Sequence, residues 1–236
     1  MLTGRTAIVT GASSGIGAGV ALALSWHGAQ RLAQVQAEAA GPTVVVAGDV
    51  RETEAPDAAV AAAVDSLGAR PDILVHAAGV AINAPLASMP QDALEEVIDI
   101  NLTSAARYAR SVVRSALRQR PSRRTDIVLI GSVVGAGLAS RGQTAYAASK
   151  AGLRGLSASL ALEMAPRDFR VNVVEPGYIK TPLTDSLPAD RVEAIKAEVP
   201  LGSFGTVDDV VHGVIYLLTS NYTTGSVLTI DGGLTL

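Results

Sequence analysis

The chain has 236 residues, of which 48% are hydrophobic and only 17% charged, against a usual charged share of about 25%; this excludes disorder and leaves much of the sequence for interior or subunit interface. A net charge of -3 supplies no field that would gather a polyanion, so neither nucleic acid nor an anionic membrane surface is an expected partner. Cysteine is absent, which removes disulfides and thiolate chemistry, and with only three scattered histidines no metal site is expected.

Short β-branched runs, each followed by an Ala/Leu-rich helical pattern, predict strands at 6–10, 43–48, 72–79, 126–132, 170–177 and 226–233. Continuous apolar strands alternating with helices imply a parallel sheet covered on both faces. The expected fold is a single-domain, Rossmann-type doubly wound α/β sheet over residues 1–236, with no repeat or linker to divide it.

The first strand runs straight into a turn with Gly11, Gly15 and Gly17, which opens a helix. Backbone can approach a pyrophosphate there, and the helix N-terminus offers free N–H groups and a partial positive charge. The spacing is G-x-x-x-G-x-G rather than the common G-x-G-x-x-G, so nucleotide binding rests on the strand-turn-helix context.

Next in such a fold comes a second strand, whose end, about 20 residues past the glycines, carries the acid or arginine that reads the adenine ribose. Here "GA" at 28–29 is followed at once by the helical pattern "QRLAQVQAEAA". Glu38 stands at the counted position but reads as a solvated helix residue, and Arg31 is a weaker substitute. Either the molecule lacks the strand, or the sequence omits a segment between Ala29 and Gln30. The second is favoured, because a deletion leaves strands one and three without the strand between them; it predicts an intact mass above 24.0 kDa.

Asp49 ends the 43–48 run and can accept from an adenine amine or cap a helix. His76 ends the next strand; without a carboxylate to orient it, it is expected to be satisfied structurally rather than to act as a base. Arg107, Arg110, Arg114 and Arg118 share a helical spacing that suits a solvated stripe or an interface edge, and "RQRPSRRTD" at 118–126 reads as a solvated surface turn.

Tyr146 and Lys150 in "YAASK" stand at i and i+4, on one face of a helix. A phenol of pKa about 10 needs a cation to stabilise its phenolate before it can exchange protons near neutrality. Arg supplies all but three of the basic residues, so a lysine here is not the chain's habitual cation. Ser132 ends the 126–132 strand at the edge where the phosphate turn lies. A serine donor beside a tyrosine acid suits holding and protonating a carbonyl oxygen while hydride reaches its carbon.

Together, Gly11-x-x-x-Gly15-x-Gly17, "AAG" at 77–79, Asn101 in "NLTS", Ser132, Tyr146-x-x-x-Lys150 and Pro176-Gly177 resemble the short-chain dehydrogenases/reductases, in that family's order and over essentially the whole chain. "GSVVGAG", "KAGLRGLSASLALEMAP", "RVNVVEPGYIKTPLT" and "VPLGSFGTVDDVV" are most similar to its 3-oxoacyl-acyl-carrier-protein reductase branch.

The resemblance implies an NAD- or NADP-dependent oxidoreductase interconverting a small-molecule ketone and a secondary alcohol, with NAD and NADP not distinguished. Tyr146 is then the proton donor or acceptor, and Ser132 the carbonyl anchor. Lys150 holds the nicotinamide ribose and lowers the tyrosine pKa, and Asn101 holds a water in the proton relay. The implied cofactor set is Gly11, Ser13, Ser14, Gly15, Ile16, Gly17, Asp49, Val50, Ala78, Gly79, Tyr146, Lys150, Pro176, Gly177, Ile179 and Thr181, the last bonding the carboxamide.

A homotetramer is also implied, as is closure of the segment between Thr181 and Pro200 over substrate. The chain departs from the family in "HAAG" for the commoner "NNAG", in one extra residue between Ser132 and Tyr146, and in the second strand. A non-catalytic nucleotide-binding scaffold is the alternative; an epimerase or dehydratase is disfavoured by the short tail after "PGYIKT". No apolar run reaches the ~18 residues that cross a bilayer, and the first glycines come too early for a secretory signal, so the cytoplasm is the expected compartment.

Overall fold

Five of the predicted runs pair into one parallel sheet in the computed structural model, which describes residues 2, 4–25, 44–118, 123–185 and 187–236. The strands are β1 (Ala7–Thr10), β2 (Ile73–His76), β3 (Thr125–Ile130), β4 (Phe169–Pro176) and β5 (Val227–Ile230), in that spatial order. Register runs from Thr10 beside His76 to Val128 beside Asn172 and Pro176 beside Ile230. The carboxyl ends of β1 to β4 therefore form one edge.

Alternation along the central strands divides the core into two layers, since successive side chains point to opposite faces. Leu74, Ile127, Leu129, Val171 and Val173 face one way, against Ala105, Ala109 and Val112 of α4 (Ser104–Leu117) and Leu153 and Ala161 of α5 (Thr144–Met164). Ile73, Val75, Val128, Ile130 and Val174 face the other way, against Val20 of α1 (Gly15–Ser25) and Val210, Val214 and Leu217 of α8 (Val207–Thr219). Each such side chain, fully buried, contributes about 1.5–3 kcal/mol, so the middles of β2, β3 and β4 are apolar on both faces, with polar residues mainly toward the strand ends. The two-faced parallel sheet agrees with the expected fold class.

Between β1 and β2 the chain changes face. α1 packs with α8, whereas α2 (Ala55–Leu67) packs with α4 on the opposite layer. The strand expected at 43–48 does not form: residues 44–49 have no ladder partner among the described residues, and β1 pairs only with β2. The physical reason lies in the sheet, since a strand needs a neighbour and no described residue offers Val44–Val46 a ladder to join. Positions 26–43, which include Arg31 and Glu38, lie outside the described residues.

The remaining helices are α3 (Gln91–Ile98), the four-residue α6 (Pro182–Asp185) and α7 (Ala189–Glu198). α3 passes into α4 through a π-helical turn, Asp99–Thr103. The start of α8 is fixed by a capping box in which Thr206 Oγ1 accepts from Asp209 N, and the Asp209 carboxylate accepts from Thr206 N at 2.7 Å. Thr206→Ala is expected to cost about 1 kcal/mol in urea denaturation. Because Gly205, one residue earlier, bridges Ile179, the cap also steadies the loop after β4.

A charged network closes the opposite, amino-terminal edge of the sheet. Arg5 Nε meets Asp72 at 2.6 Å, while Asp126 receives Arg170 Nη2 at 2.7 Å, Arg5 Nη2 at 3.0 Å and Arg124 Nε at 3.1 Å. Burial pushes the Asp72 carboxyl up and the Arg170 guanidinium down, against their partners' opposing pull. These groups join the starts of four strands, β1 to β4, far along the chain direction from Ser132.

Candidate active site

The turn between β1 and α1 closes only with glycine at two positions. At Gly11, φ is +66° and a Cβ would lie 2.8 Å from Ala78 N; at Gly17 a Cβ would collide with the Gly11 carbonyl oxygen. Ser13 and Ser14 are exposed on this turn and Ile16 is half-buried behind it. The first N–H groups of α1, beginning at Gly15, have no intrahelical acceptor, so the turn presents donors at the positive end of the helix. A Cβ on Gly15 would touch Thr181 Cγ2 at 3.5 Å, which sets the phosphate turn beside the loop after β4.

That loop begins where Pro176 ends β4 and Gly177 N donates to Ile230 O at 2.9 Å. Ile179 is buried in the α1/α8 layer. The Thr181 hydroxyl donates to Ile179 O at 3.4 Å, and Thr181 N donates to Thr184 Oγ1 at 3.0 Å.

On the other side of the turn, Ala77 N and Ala78 N donate to Thr10 Oγ1 at 3.2 and 3.1 Å. Gly79 follows as a bare floor: a Cβ there would stand 3.2 Å from Lys150 Nζ and 3.3 Å from Asn101 Oδ1. Glycine-closed donors at a helix N-terminus and an uncovered floor beside a lysine fit a dinucleotide, with phosphate at the turn and nicotinamide over Gly79.

Ser132, Tyr146, Lys150 and Asn101 come together at this edge. Ser132 follows β3, and its hydroxyl accepts from Val134 N at 3.1 Å. Tyr146 and Lys150 lie in the first two turns of α5, with Lys150 Nζ 5.8 Å from the centre of the tyrosine ring. Burial pushes the Tyr146 phenol above its ordinary value; a hydrogen bond with Ser132 opposes this and the neighbouring Tyr178 phenol adds to it. Lys150 Nζ donates to Ile130 O at 2.8 Å.

Burial drives the Lys150 ammonium down to about 8 from 10.5. In the unfolded chain the amine keeps its proton up to 10.5, so between these limits the unfolded state binds more protons and stability rises with pH. The penalty for burying the charge, on the order of 3 kcal/mol, is fully present below about pH 8 and fades as pH climbs to 10.5. Relative to Lys150→Met, the wild-type urea midpoint is expected to rise across that window; parallel curves would contradict it.

Asn101 sits fully buried in the π-turn with its amide spent on protein. Its Nδ2 donates to Val80 O and Ser149 Oγ, each at 3.0 Å, and Oδ1 accepts from Val80 N at 2.8 Å. Its side chain therefore clamps the Gly79–Val80 floor to α5, with both amide donors used by protein.

The Asp49 carboxylate accepts from Arg51 N at 2.9 Å and forms an exposed ion pair with Arg51 Nη2 at 2.6 Å. The arginine beside it holds the carboxyl below its ordinary value. An adenine amine would have to displace Arg51 from Asp49. Val50, the next residue, packs against the α4/α5 layer. Sequence reasoning missed Tyr178, which stacks on Phe204 with ring centres 5.4 Å apart, and Ser104, which bonds His76; an aromatic directly after Pro176-Gly177 was the available signal for the first.

The family described as enoyl-(acyl carrier protein) reductase matches residues 11–235. A 3-oxoacyl-acyl-carrier-protein reductase of Thermotoga maritima is 36% identical over an alignment covering 100% of this chain and 99% of that protein. The Escherichia coli enzyme of the same name is 35% identical, with 98% and 97% covered. Among solved structures, a 4-hydroxyisoleucine dehydrogenase variant complexed with NADH and succinate superposes with a TM-score of 0.87 at 31% identity, over 98% of each chain. With the glycine turn, the Gly79 floor and the Ser132, Tyr146 and Lys150 group at one edge of a parallel sheet, the chain belongs to the short-chain dehydrogenase/reductase family, NAD(P)-dependent oxidoreductases that interconvert ketones and secondary alcohols.

Proposed function

We propose that this single-domain chain reduces the ketone of a 3-oxoacyl thioester or a closely related ketone. The observation that carries the proposal is the convergence of Ser132, Tyr146 and Lys150 beside the bare floor of Gly79. When bound, the nicotinamide supplies or accepts the hydride. Ser132 holds the substrate oxygen, and Tyr146 gives it the proton in reduction or takes it in oxidation.

Lys150 would hold the nicotinamide ribose, and its cation near Tyr146 would oppose the burial that raises the phenol pKa. Asn101 keeps the floor and α5 in register. Gly11, Ser13, Ser14, Gly15, Ile16 and Gly17 hold the phosphates; Ala78, Gly79, Pro176, Gly177, Ile179 and Thr181 border the nicotinamide. Asp49 and Val50 meet adenine only after Arg51 turns away.

The thioester assignment is supported by the two reductases of 35–36% identity over nearly full length. Assembly as a homotetramer is supported by the outward face of α5, where Ala148, Gly155, Ala158 and Leu162 are exposed and let a second helix approach closely. No helix among the described residues is long and apolar enough to cross a membrane, consistent with a cytoplasmic site of action.

The test is oxidation of NADH and of NADPH by the purified protein with a panel of 3-oxoacyl thioesters, simple ketones and keto sugars. Turnover of the thioesters above the rest is the expected result. Turnover confined to keto sugars would redirect the substrate assignment, and tight cofactor binding with no turnover on any ketone would favour the scaffold alternative.

A further inference from the structure

The hydrogen atoms around buried His76 can be assigned one by one. Thr10 Oγ1 accepts from Ala77 N and Ala78 N, which fills both lone pairs of the hydroxyl. Its single proton is therefore left for His76 Nδ1, 3.0 Å away. With Nδ1 accepting, the neutral ring carries its proton on Nε2, which donates to Ser104 Oγ at 3.0 Å. The Ser104 hydroxyl then donates to Ile100 O at 2.6 Å. The chain runs in one direction, from Thr10 to Ile100. Burial first, and Lys150 second, hold the imidazole down to about 3 against a hydrogen bond with the Ile100 backbone, so the ring is neutral at working pH.

The end of the chain lies in the π-turn. In a regular helix the carbonyl of Ile100 would receive the N–H of Ser104, four residues on. Here the Ser104 hydroxyl occupies that carbonyl, and Ser104 N donates instead to Asp99 O, five residues back. A hydroxyl bonded four residues back competes with the helix's own ladder, and the substitution favours the wider turn. Asn101 stands on that turn and grips Val80 and Ser149.

We infer that His76 is a positioning residue for the reaction: as the Nε2–H tautomer it aims the Ser104 hydroxyl at Ile100, and so sets the π register that places Asn101 against the Gly79–Val80 floor and α5. The inference rests on the reading of Asn101 as part of the active-site framework.

Three measurements on the full-length protein test it. Nitrogen NMR of the unmodified protein should show a protonated Nε2 and a bare Nδ1 on His76 from neutrality to about pH 5, below the ordinary histidine pKa; the opposite tautomer or an imidazolium in that range overturns the assignment. Ser104→Ala and His76→Phe should each lower kcat roughly 10- to 100-fold, the scale of a small misplacement at a reacting centre, with cofactor affinity nearly unchanged. Ser104→Thr, which keeps the hydroxyl, should restore most of the turnover. Full kcat in Ser104→Ala, or equal loss of kcat and cofactor affinity, overturns the inference. Full kcat in Asn101→Ala removes the underlying reading instead, whatever the tautomer proves to be.

Discussion

Tyr146→Phe is expected to reduce kcat by roughly 10²- to 10⁴-fold, the usual worth of a positioned acid-base group, while cofactor affinity and the unfolding midpoint stay close to wild type. The variant removes one oxygen from a ring that is otherwise held by α5, so the fold loses little. It removes the only phenol that shares a hydrogen bond with Ser132 among the described residues. A drop in kcat without a matching rise in KM is the signature of an interaction made in the transition state alone. Near-full turnover would remove Tyr146 from the reaction.

The largest stability effect is expected at the other edge of the sheet. Asp126 is 2% exposed and accepts from Arg5, Arg124 and Arg170, of which Arg5 and Arg170 are themselves nearly buried. Asp126→Asn removes the counter-charge of Arg170 and Arg124 and one of the two carboxylates that Arg5 meets. Breaking a buried pair from one side costs about 3–5 kcal/mol, a fall in Tm on the order of 10 °C for a chain of this size. Turnover measured well below the transition should be unaffected, because the network stands at the end of the strands opposite Ser132. An unchanged Tm would mean that water already compensates these charges.

The two-layered parallel sheet was legible because β2, β3 and β4 carry short continuous apolar runs separated by helical patterns. The site was legible for a similar reason: Gly11, Gly17, Ser132, Tyr146 and Lys150 sit at fixed offsets from strand and helix ends, so locating the ends locates the chemistry. The 43–48 run shows where such reasoning stops. "TVVVAG" has every local property of a strand, but a strand also needs a neighbour, and none of the described residues pairs with it.

Partner choice was likewise hidden. Asp49 and Arg51 are two residues apart, and only the folded loop shows that they pair with each other. The partners of Asn101 are brought from Val80 and Ser149, far along the chain, and use both of its amide donors. His76 was read correctly as structural, but its link to Ser104 crosses 28 residues of sequence and needed the packing of β2 against α4 to appear.

Hydride transfer itself is the central claim, and it can be followed directly. The protein would be given NADH or NADPH deuterated at nicotinamide C4 together with a 3-oxoacyl thioester, and the alcohol formed would be examined by mass spectrometry and NMR. Deuterium on the new carbinol carbon, with its transfer abolished in Tyr146→Phe, is the predicted result. Alcohol formed without label at that carbon, or no alcohol from any ketone with either cofactor, would contradict it.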